Sequence, residues 1–270
     1  MGVILFESTS SSEPPLGLSL GVKTYAATGR TSAGDLSDCT GSVASCKVKG
    51  VTEAFSPELA ARIERAGIVA VLIIDRVEDA EPLARALLAG GVDAMELTLR
   101  TEAALGALEV IRSKVPEMLA GVGTVLTPAQ VRQVKDAGAE FAVSPGLNRS
   151  VVKAAAEAGI SFAPGIATPS DIEAGLECGC RILKFFPSEP MGGLPFLKAM
   201  AAPYLHLGVQ FIPLGGVNAK NMATYLADPL IPALGGSWLA PRDAIRAGDW
   251  AAITQLASEA TAIIAQTRKS

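Results

Sequence analysis

Lys184 lies inside Arg181-Ile182-Leu183-Lys184-Phe185-Phe186-Pro187, a short apolar run bounded by Gly179 and Pro187. A run of that length between such flanks reads as a buried strand. A lysine in a buried strand is costly unless something pairs or uses it. Burial disfavours the charged form of an amine, and a neutral amine attacks ketones to form a Schiff base. The other reading is a strand-end lysine whose stem covers apolar surface while its amine reaches solvent.

A second stretch supplies an acid, a hydroxyl and a base. In Ala94-Met95-Glu96-Leu97-Thr98-Leu99-Arg100, strand alternation turns Met95, Leu97 and Leu99 toward flanking helices. Glu96, Thr98 and Arg100 then face the interior. A carboxylate on that stripe can move protons. Arg100, with Thr124 at the end of Gly121-Val122-Gly123-Thr124, can hold a substrate carboxylate in the arginine fork. The alternative is a structural Glu–Arg pair plugging the interior.

Glycine doublets, Gly215-Gly216 and Gly235-Gly236-Ser237, follow the last two expected strands. Glycine lets backbone N–H groups approach an anion, and a following helix N-terminus favours negative charge. Two tight turns are the plainer explanation. Asn218 stands where it can cap the helix after the first doublet. Ser144-Pro145-Gly146 and Pro164-Gly165 read as rim turns. Taken as one site, these parts suit a 2-keto acid with a terminal phosphate, cleaved at a carbon–carbon bond by enamine chemistry.

Several chemistries are disfavoured. His206 is the only histidine, which argues against serine and cysteine triads and against metal sites built on several imidazoles. Its loop-like surroundings predict a surface position. Cys39, Cys46, Cys178 and Cys180 lack metal-site spacing and read as small apolar residues in a reducing, cytoplasmic compartment. A net charge of −4 without a basic run argues against a nucleic-acid partner. No apolar run reaches bilayer-spanning length, so no membrane role is expected.

The elements that must position these residues alternate. Strands are expected at 68–74, 94–99, 119–122, 141–144, 161–163, 181–186, 209–214 and 231–234, separated by alanine-rich helical segments. Ser56-Pro57 opens a first helix, Thr127-Pro128-Ala129-Gln130 is a capping box, and Thr168-Pro169-Ser170-Asp171 is a looser start signal. Eight strand–helix units predict a closed eight-stranded parallel (β/α)8 TIM barrel with an N-terminal helix, over residues 51–270. An open doubly wound sheet is the competitor, but no Gly-x-Gly-x-x-Gly follows the first strand. Residues 1–50, rich in Ser, Thr and Gly, read as a flexible extension. Their composition also fits organelle targeting, although Glu7, Glu13, Asp35 and Asp38 do not.

From about residue 55 onward the chain resembles the 2-keto-3-deoxy-6-phosphogluconate aldolases, often bifunctional with 4-hydroxy-2-oxoglutarate aldolase. The stretches that carry the resemblance are Glu96-Leu-Thr-Leu-Arg-Thr101, Gly121-Val-Gly-Thr-Val125, Ser144-Pro-Gly146, Pro164-Gly165, Lys184-Phe-Phe-Pro187, Gly215-Gly216 and Gly235-Gly-Ser-Trp-Leu239. The resemblance implies a homotrimer, a class I mechanism, and neither metal nor other cofactor. It implies Lys184 as the Schiff-base residue and Glu96 as the proton-transfer residue. Arg100 and Thr124 would bind the pyruvate carboxylate, Pro145 and Phe186 would shape the pocket, and Gly215, Gly216, Gly236 and Ser237 would bind phosphate. The implied products are pyruvate and glyceraldehyde 3-phosphate. Leu214 stands where the gluconate enzymes commonly carry threonine and the related phosphogalactonate enzymes an apolar residue. That difference bears on selectivity at C4 and keeps the galactonate substrate as an alternative. A phosphosugar isomerase or epimerase on the same barrel is the alternative of a different class.

Overall fold

The computed structural model describes residues 54–268. The expected extension, residues 1–50, lies outside them. In chain order the elements are α1 (Pro57–Ala66), β1 (Ile68–Leu72), α2 (Ala80–Ala89), β2 (Ala94–Thr98), α3 (Ala103–Lys114), β3 (Leu119–Gly123), α4 (Pro128–Asp136), β4 (Phe141–Val143) and α5 (Arg149–Ala158). They continue with β5 (Ser161–Ala163), β6 (Gly165–Ile166), α6 (Pro169–Glu177), β7 (Ile182–Phe185), α7 (Gly193–Ala201), β8 (Gln210–Pro213), α8 (Met222–Leu226), β9 (Leu234–Gly236), α9 (Arg242–Ala247) and α10 (Trp250–Thr267). None of the described helices is long and apolar enough to cross a membrane.

Three helix starts follow from local chemistry. Ser56 accepts a hydrogen bond from the Leu59 N–H ahead of Pro57. Thr127 with Gln130, and Thr168 with Asp171, form reciprocal capping boxes, each with proline at the first helical position. These side chains satisfy N–H groups that a helix leaves unpaired at its start.

The strands are parallel, but they do not form the closed eight-stranded barrel that the alternation predicts. Six of them pair in the order β5-β4-β3-β2-β1-β9, and β6-β7-β8 form a separate sheet. The larger sheet is an open half-barrel with its edges 12 Å apart. The break falls where two stretches differ from expectation. Pro164-Gly165, expected as a rim turn, is a kink in mid-strand. Ahead of it β5 pairs with β4, and beyond it β6 pairs with β7. Pro164 has no N–H to give to a ladder. At the other side β8 ends in Pro213, and β9 begins three residues later than the expected strand and pairs with β1. The Phe211 N–H bonds to the Leu230 carbonyl, ahead of β9 rather than within it.

Alternation along the strands sorts side chains into two cores. Ile68, Ala70, Leu72, Met95, Leu97, Leu183 and Phe185 pack outward with the helices. Val69, Ala94, Phe141, Val143, Ile182 and Ile212 pack inward, with Phe55 and Ile63 of the α1 region against them. On β2 and β7, Glu96 and Lys184 share the register of Ala94 and Ile182, so the inner layer carries one acid and one amine.

The last helix, α10, is drawn tightly onto α2. Thr254 and Thr261 donate hydroxyl hydrogen bonds to the carbonyls of Ala86 and Gly90. A Cβ at Gly90 would lie 2.4 Å from the Ala257 Cβ and 2.6 Å from the Thr254 carbonyl oxygen. Ala-rich and glycine surfaces allow this approach.

Candidate active site

Lys184 is the third residue of β7, and its backbone N–H bonds to the Pro164 carbonyl at 2.9 Å. Its side chain is 8% exposed and that of Glu96 4%. The amine Nζ donates to Glu96 Oε1 at 3.2 Å across 88 residues of sequence. The snorkelling alternative for Lys184 does not describe this geometry. Two buried opposite charges compensate one another, and removing either would leave the other unpaired.

Space for the Glu96 carboxylate comes from the neighbouring strand. A Cβ at Gly123 would lie 1.6 Å from Glu96 Oε1. Below the pair is a cavity of about 20 Å³, lined by Glu96, Lys184 and otherwise apolar side chains including Phe55, Val69, Ile212 and Leu214. It has room for about one water molecule.

Above the pair the Phe186 ring stands 5.8 Å from Lys184 Nζ. The same ring comes within 3.3 Å of where a Cβ on Gly215 would be. Phe186 therefore connects the lysine to the first glycine doublet. That doublet adopts left-handed backbone, with φ of 91° at Gly215 and 85° at Gly216, which side chains disfavour. The second doublet differs. Gly235 and Gly236 belong to β9, and a Cβ on Gly235 would meet the Leu214 side chain at 2.1 Å. Here glycine supplies room, not a turn. Leu214 is buried in the inner layer, and Ser237 is exposed just beyond the strand.

Two rim residues depart from the expected picture. Thr98 is buried on the inward stripe and donates to the Leu72 carbonyl. Arg100 is not on that stripe, because β2 stops at Thr98 and the Arg100 N–H turns back to the Thr98 carbonyl at 2.7 Å. It is exposed and has no carboxylate partner among the described residues, so the structural Glu–Arg plug is not formed. The adjoining turn brings Thr124 beside it in sequence register, since the Leu99 N–H bonds to the Gly123 carbonyl. Thr124 has φ of 61°, the one positive value outside glycine among the described residues. Backbone held there is strained, which occurs most often at functional positions. Pro145 is half-buried, and its carbonyl oxygen would lie 2.1 Å from a Cβ on Gly165, so the two expected rim turns touch.

Helix termini contribute less than expected. Asn218 does not cap a helix: its Oδ1 accepts from the Lys220 N–H in a turn, and α8 starts only at Met222. After Ser237 the next helix begins at Arg242. Neither glycine doublet directly precedes a helix: the first lies in a left-handed turn and the second at the end of β9.

Sequence reasoning missed a group behind the first doublet. Ser188 is fully buried, its Oγ lies 2.7 Å from the Tyr225 hydroxyl, and Tyr225 also donates to Glu189 Oε1. Ser188 and Glu189 directly follow the lysine run, but Tyr225 lies on a helix whose position no local pattern reveals. His206 is exposed, as its surroundings predict.

Fold and site together define an α/β protein whose parallel strands bury an amine–carboxylate pair beneath glycine-lined strand ends. The family model for KDPG and KHG aldolase matches residues 59–256, and the chain belongs to that aldolase family, whose members are carbon–carbon lyases. It is 47% identical over 193 residues to the KHG/KDPG aldolase of Escherichia coli K12, covering 72% of this chain and 90% of that one. It is 44% identical over 202 residues to the 2-dehydro-3-deoxy-phosphogluconate aldolase of Treponema pallidum, covering 75% and 95%. Among solved structures, the KDPG aldolase of Legionella pneumophila, with pyruvate captured at low pH as a covalent carbinolamine, superposes with a TM-score of 0.70 at 42% identity. The match covers 74% of this chain and 96% of that one.

Proposed function

We propose that this chain is a class I aldolase that cleaves 2-keto-3-deoxy-6-phosphogluconate (KDPG) to pyruvate and glyceraldehyde 3-phosphate. The same chemistry extends to 4-hydroxy-2-oxoglutarate (KHG), giving pyruvate and glyoxylate. The single observation that carries the reading is the buried 3.2 Å contact between Lys184 Nζ and Glu96 Oε1. The carbinolamine of the Legionella relative supports it, because such an adduct forms when an amine adds to a ketone.

In this reading Glu96 takes a proton from Lys184, and the freed lone pair attacks the C2 carbonyl carbon. Glu96 returns that proton to the departing hydroxyl, so the carbinolamine loses water to give an iminium and the carboxylate is free again. Glu96, directly or through water, then removes the C4 hydroxyl proton. The C3–C4 bond breaks, its electron pair passes into the iminium to form an enamine, and the aldehyde leaves. Protonation at C3 and hydrolysis of the imine return pyruvate and free Lys184. Arg100 and Thr124 hold the carboxylate, Pro145 and Phe186 wall the pocket, and Gly215, Gly216, Gly236 and Ser237 receive the phosphate. The enzyme acts in the cytoplasm as a homotrimer, which a solution mass near three times 27.7 kDa would support.

Borohydride added with pyruvate should fix one reduced pyruvate on Lys184, read by intact mass and peptide mapping. Lys184→Arg should lose both the adduct and KDPG cleavage. An unchanged intact mass for the wild-type chain would overturn the class I reading.

Leu214 bears on stereochemistry. It is apolar and packed against Gly235, so it has no hydrogen bond to give a C4 hydroxyl. A site that bonds a substrate hydroxyl discriminates far better than one that merely has room for it. The two C4 epimers should therefore be cleaved within about tenfold of each other, and Leu214→Thr should widen the ratio by about tenfold. A wild-type preference already beyond a hundredfold would refute this role for Leu214.

A further inference from the structure

We propose that Tyr225 and Glu189 are positioning residues for phosphate recognition, tethered to each other so that the Glu189 stem supports the Gly215-Gly216 loop while its charge is held on the tyrosine hydroxyl. The inference rests on the reading that this loop takes the substrate phosphate.

The backbone of Ser188 and Glu189 runs alongside the loop. The Ser188 N–H bonds to the Leu214 carbonyl at 2.7 Å, and the Glu189 N–H bonds to the Gly215 carbonyl at 2.9 Å. The Glu189 stem occupies the space that a side chain at 216 would need: a Cβ there would lie 2.5 Å from Glu189 Cβ and 2.7 Å from Cγ. Gly216 is thus excluded from having a side chain by its neighbour as well as by its backbone. The carboxylate end is placed by Tyr225, whose ring is buried on α8. A phenol has one hydrogen and an ionised carboxylate has none. The phenol hydrogen therefore goes to Glu189, and the Ser188 hydroxyl donates to the phenol oxygen. Burial, and then the Glu189 hydrogen bond, push the Tyr225 phenol up to about 12, so it remains a donor at every working pH. Gly193 leaves room for the pair, since a Cβ there would lie 2.9 Å from Glu189 Oε1 and 3.1 Å from the phenol oxygen.

A carboxylate whose stem packs against Gly216 has the same sign of charge as the phosphate that the loop would receive. Like charges repel, more weakly where solvent screens them, and Glu189 is exposed. Bonding the carboxylate to a buried phenol fixes where that charge sits. Without the tether, Glu189 is free to turn toward the loop.

Steady-state kinetics on KDPG, and the pyruvate concentration that half-saturates borohydride trapping, separate this role from general damage because pyruvate carries no phosphate. Tyr225→Phe keeps the ring and removes the hydroxyl. It should raise KM for KDPG about tenfold with kcat within about twofold, and leave the pyruvate half-saturation unchanged. Adding Glu189→Gln to Tyr225→Phe should return KM part of the way toward wild type, since the loose charge is gone. Glu189→Ala, which removes the supporting stem, should raise KM for KDPG on its own. An unchanged KM in Tyr225→Phe, or parallel shifts in KM and in pyruvate half-saturation, would overturn the proposal. A wild-type chain that traps pyruvate yet fails to cleave KDPG would instead overturn the substrate reading, and the inference with it, before any variant is made.

Discussion

Between β2 and β3 there is no space for one more methyl group beside the Lys184–Glu96 pair. Gly123 gives the Glu96 carboxylate its seat, because a Cβ there would fall 1.6 Å from Oε1 and 2.5 Å from the carboxylate carbon. Its φ is not among the positive values, so the constraint is volume alone. Gly123→Ala should fold, displace Glu96 from Lys184, and lower kcat by about 10²-fold, the low end of what proton transfer contributes. A kcat within threefold of wild type would show that Glu96 is not held by this contact. Lys184 is legible because a lysine inside a short apolar run stands out, and Glu96 because strand alternation is a local, period-two signal. Arg100 could not be placed the same way. Alternation reaches Arg100 only if the strand runs two residues past Thr98, and there β2 has ended and the chain turns. Tyr225 was invisible for another reason: its partner Ser188 is 37 positions away, and nothing local marks either one.

Elements were legible where their ends are decided by neighbours in sequence. Ser56, Thr127 and Thr168 start helices through bonds three residues long, and each start is legible in the local motif of cap residue and following proline. Closure of the sheet was not, because it depends on how separated strands meet. Pro164 sits where one strand changes partners, and a proline after Ala163 looks the same in a turn and in a kinked strand. Gly90 shows the same limit at the helix layer. Its φ of −86° is open to any residue, so only the crossing of α10 demands glycine. Gly90→Ala would place a methyl 2.4 Å from Ala257 Cβ and 2.6 Å from a backbone oxygen that cannot rotate away. Overpacking of this kind costs about 1–3 kcal/mol. Chemical denaturation should show that loss, and Gly90→Ala with Ala257→Gly should recover only the side-chain share. A neutral Gly90→Ala would mean that α10 is free to shift.

At the scale of the molecule, an open half-barrel must protect its concave face without a complete ring of strands. Two devices do this: the β6-β7-β8 sheet, though not ladder-paired to the larger one, contributes Ile182, Lys184 and Ile212 to the inner layer, and the α1 region covers that layer with Phe55 and Ile63. Phe55 has both a packing and an electrostatic effect. It belongs to the inner core and also lines the small cavity under Glu96 and Lys184. Truncating it enlarges a space with room for about one water molecule. Phe55→Ala should therefore lower unfolding free energy by about 3 kcal/mol, a large share of the roughly 5–15 kcal/mol that holds a domain folded. Water admitted beneath the pair would also screen the contact between amine and carboxylate, since charges interact more weakly as the local dielectric rises. Phe55→Leu, which refills most of the volume, should restore most of both stability and kcat. Urea unfolding of the three proteins, with KDPG cleavage measured on the same samples, makes the comparison. If Phe55→Ala loses stability but keeps kcat, the inner layer is only a core. If it loses neither, the concave face is closed by something other than α1.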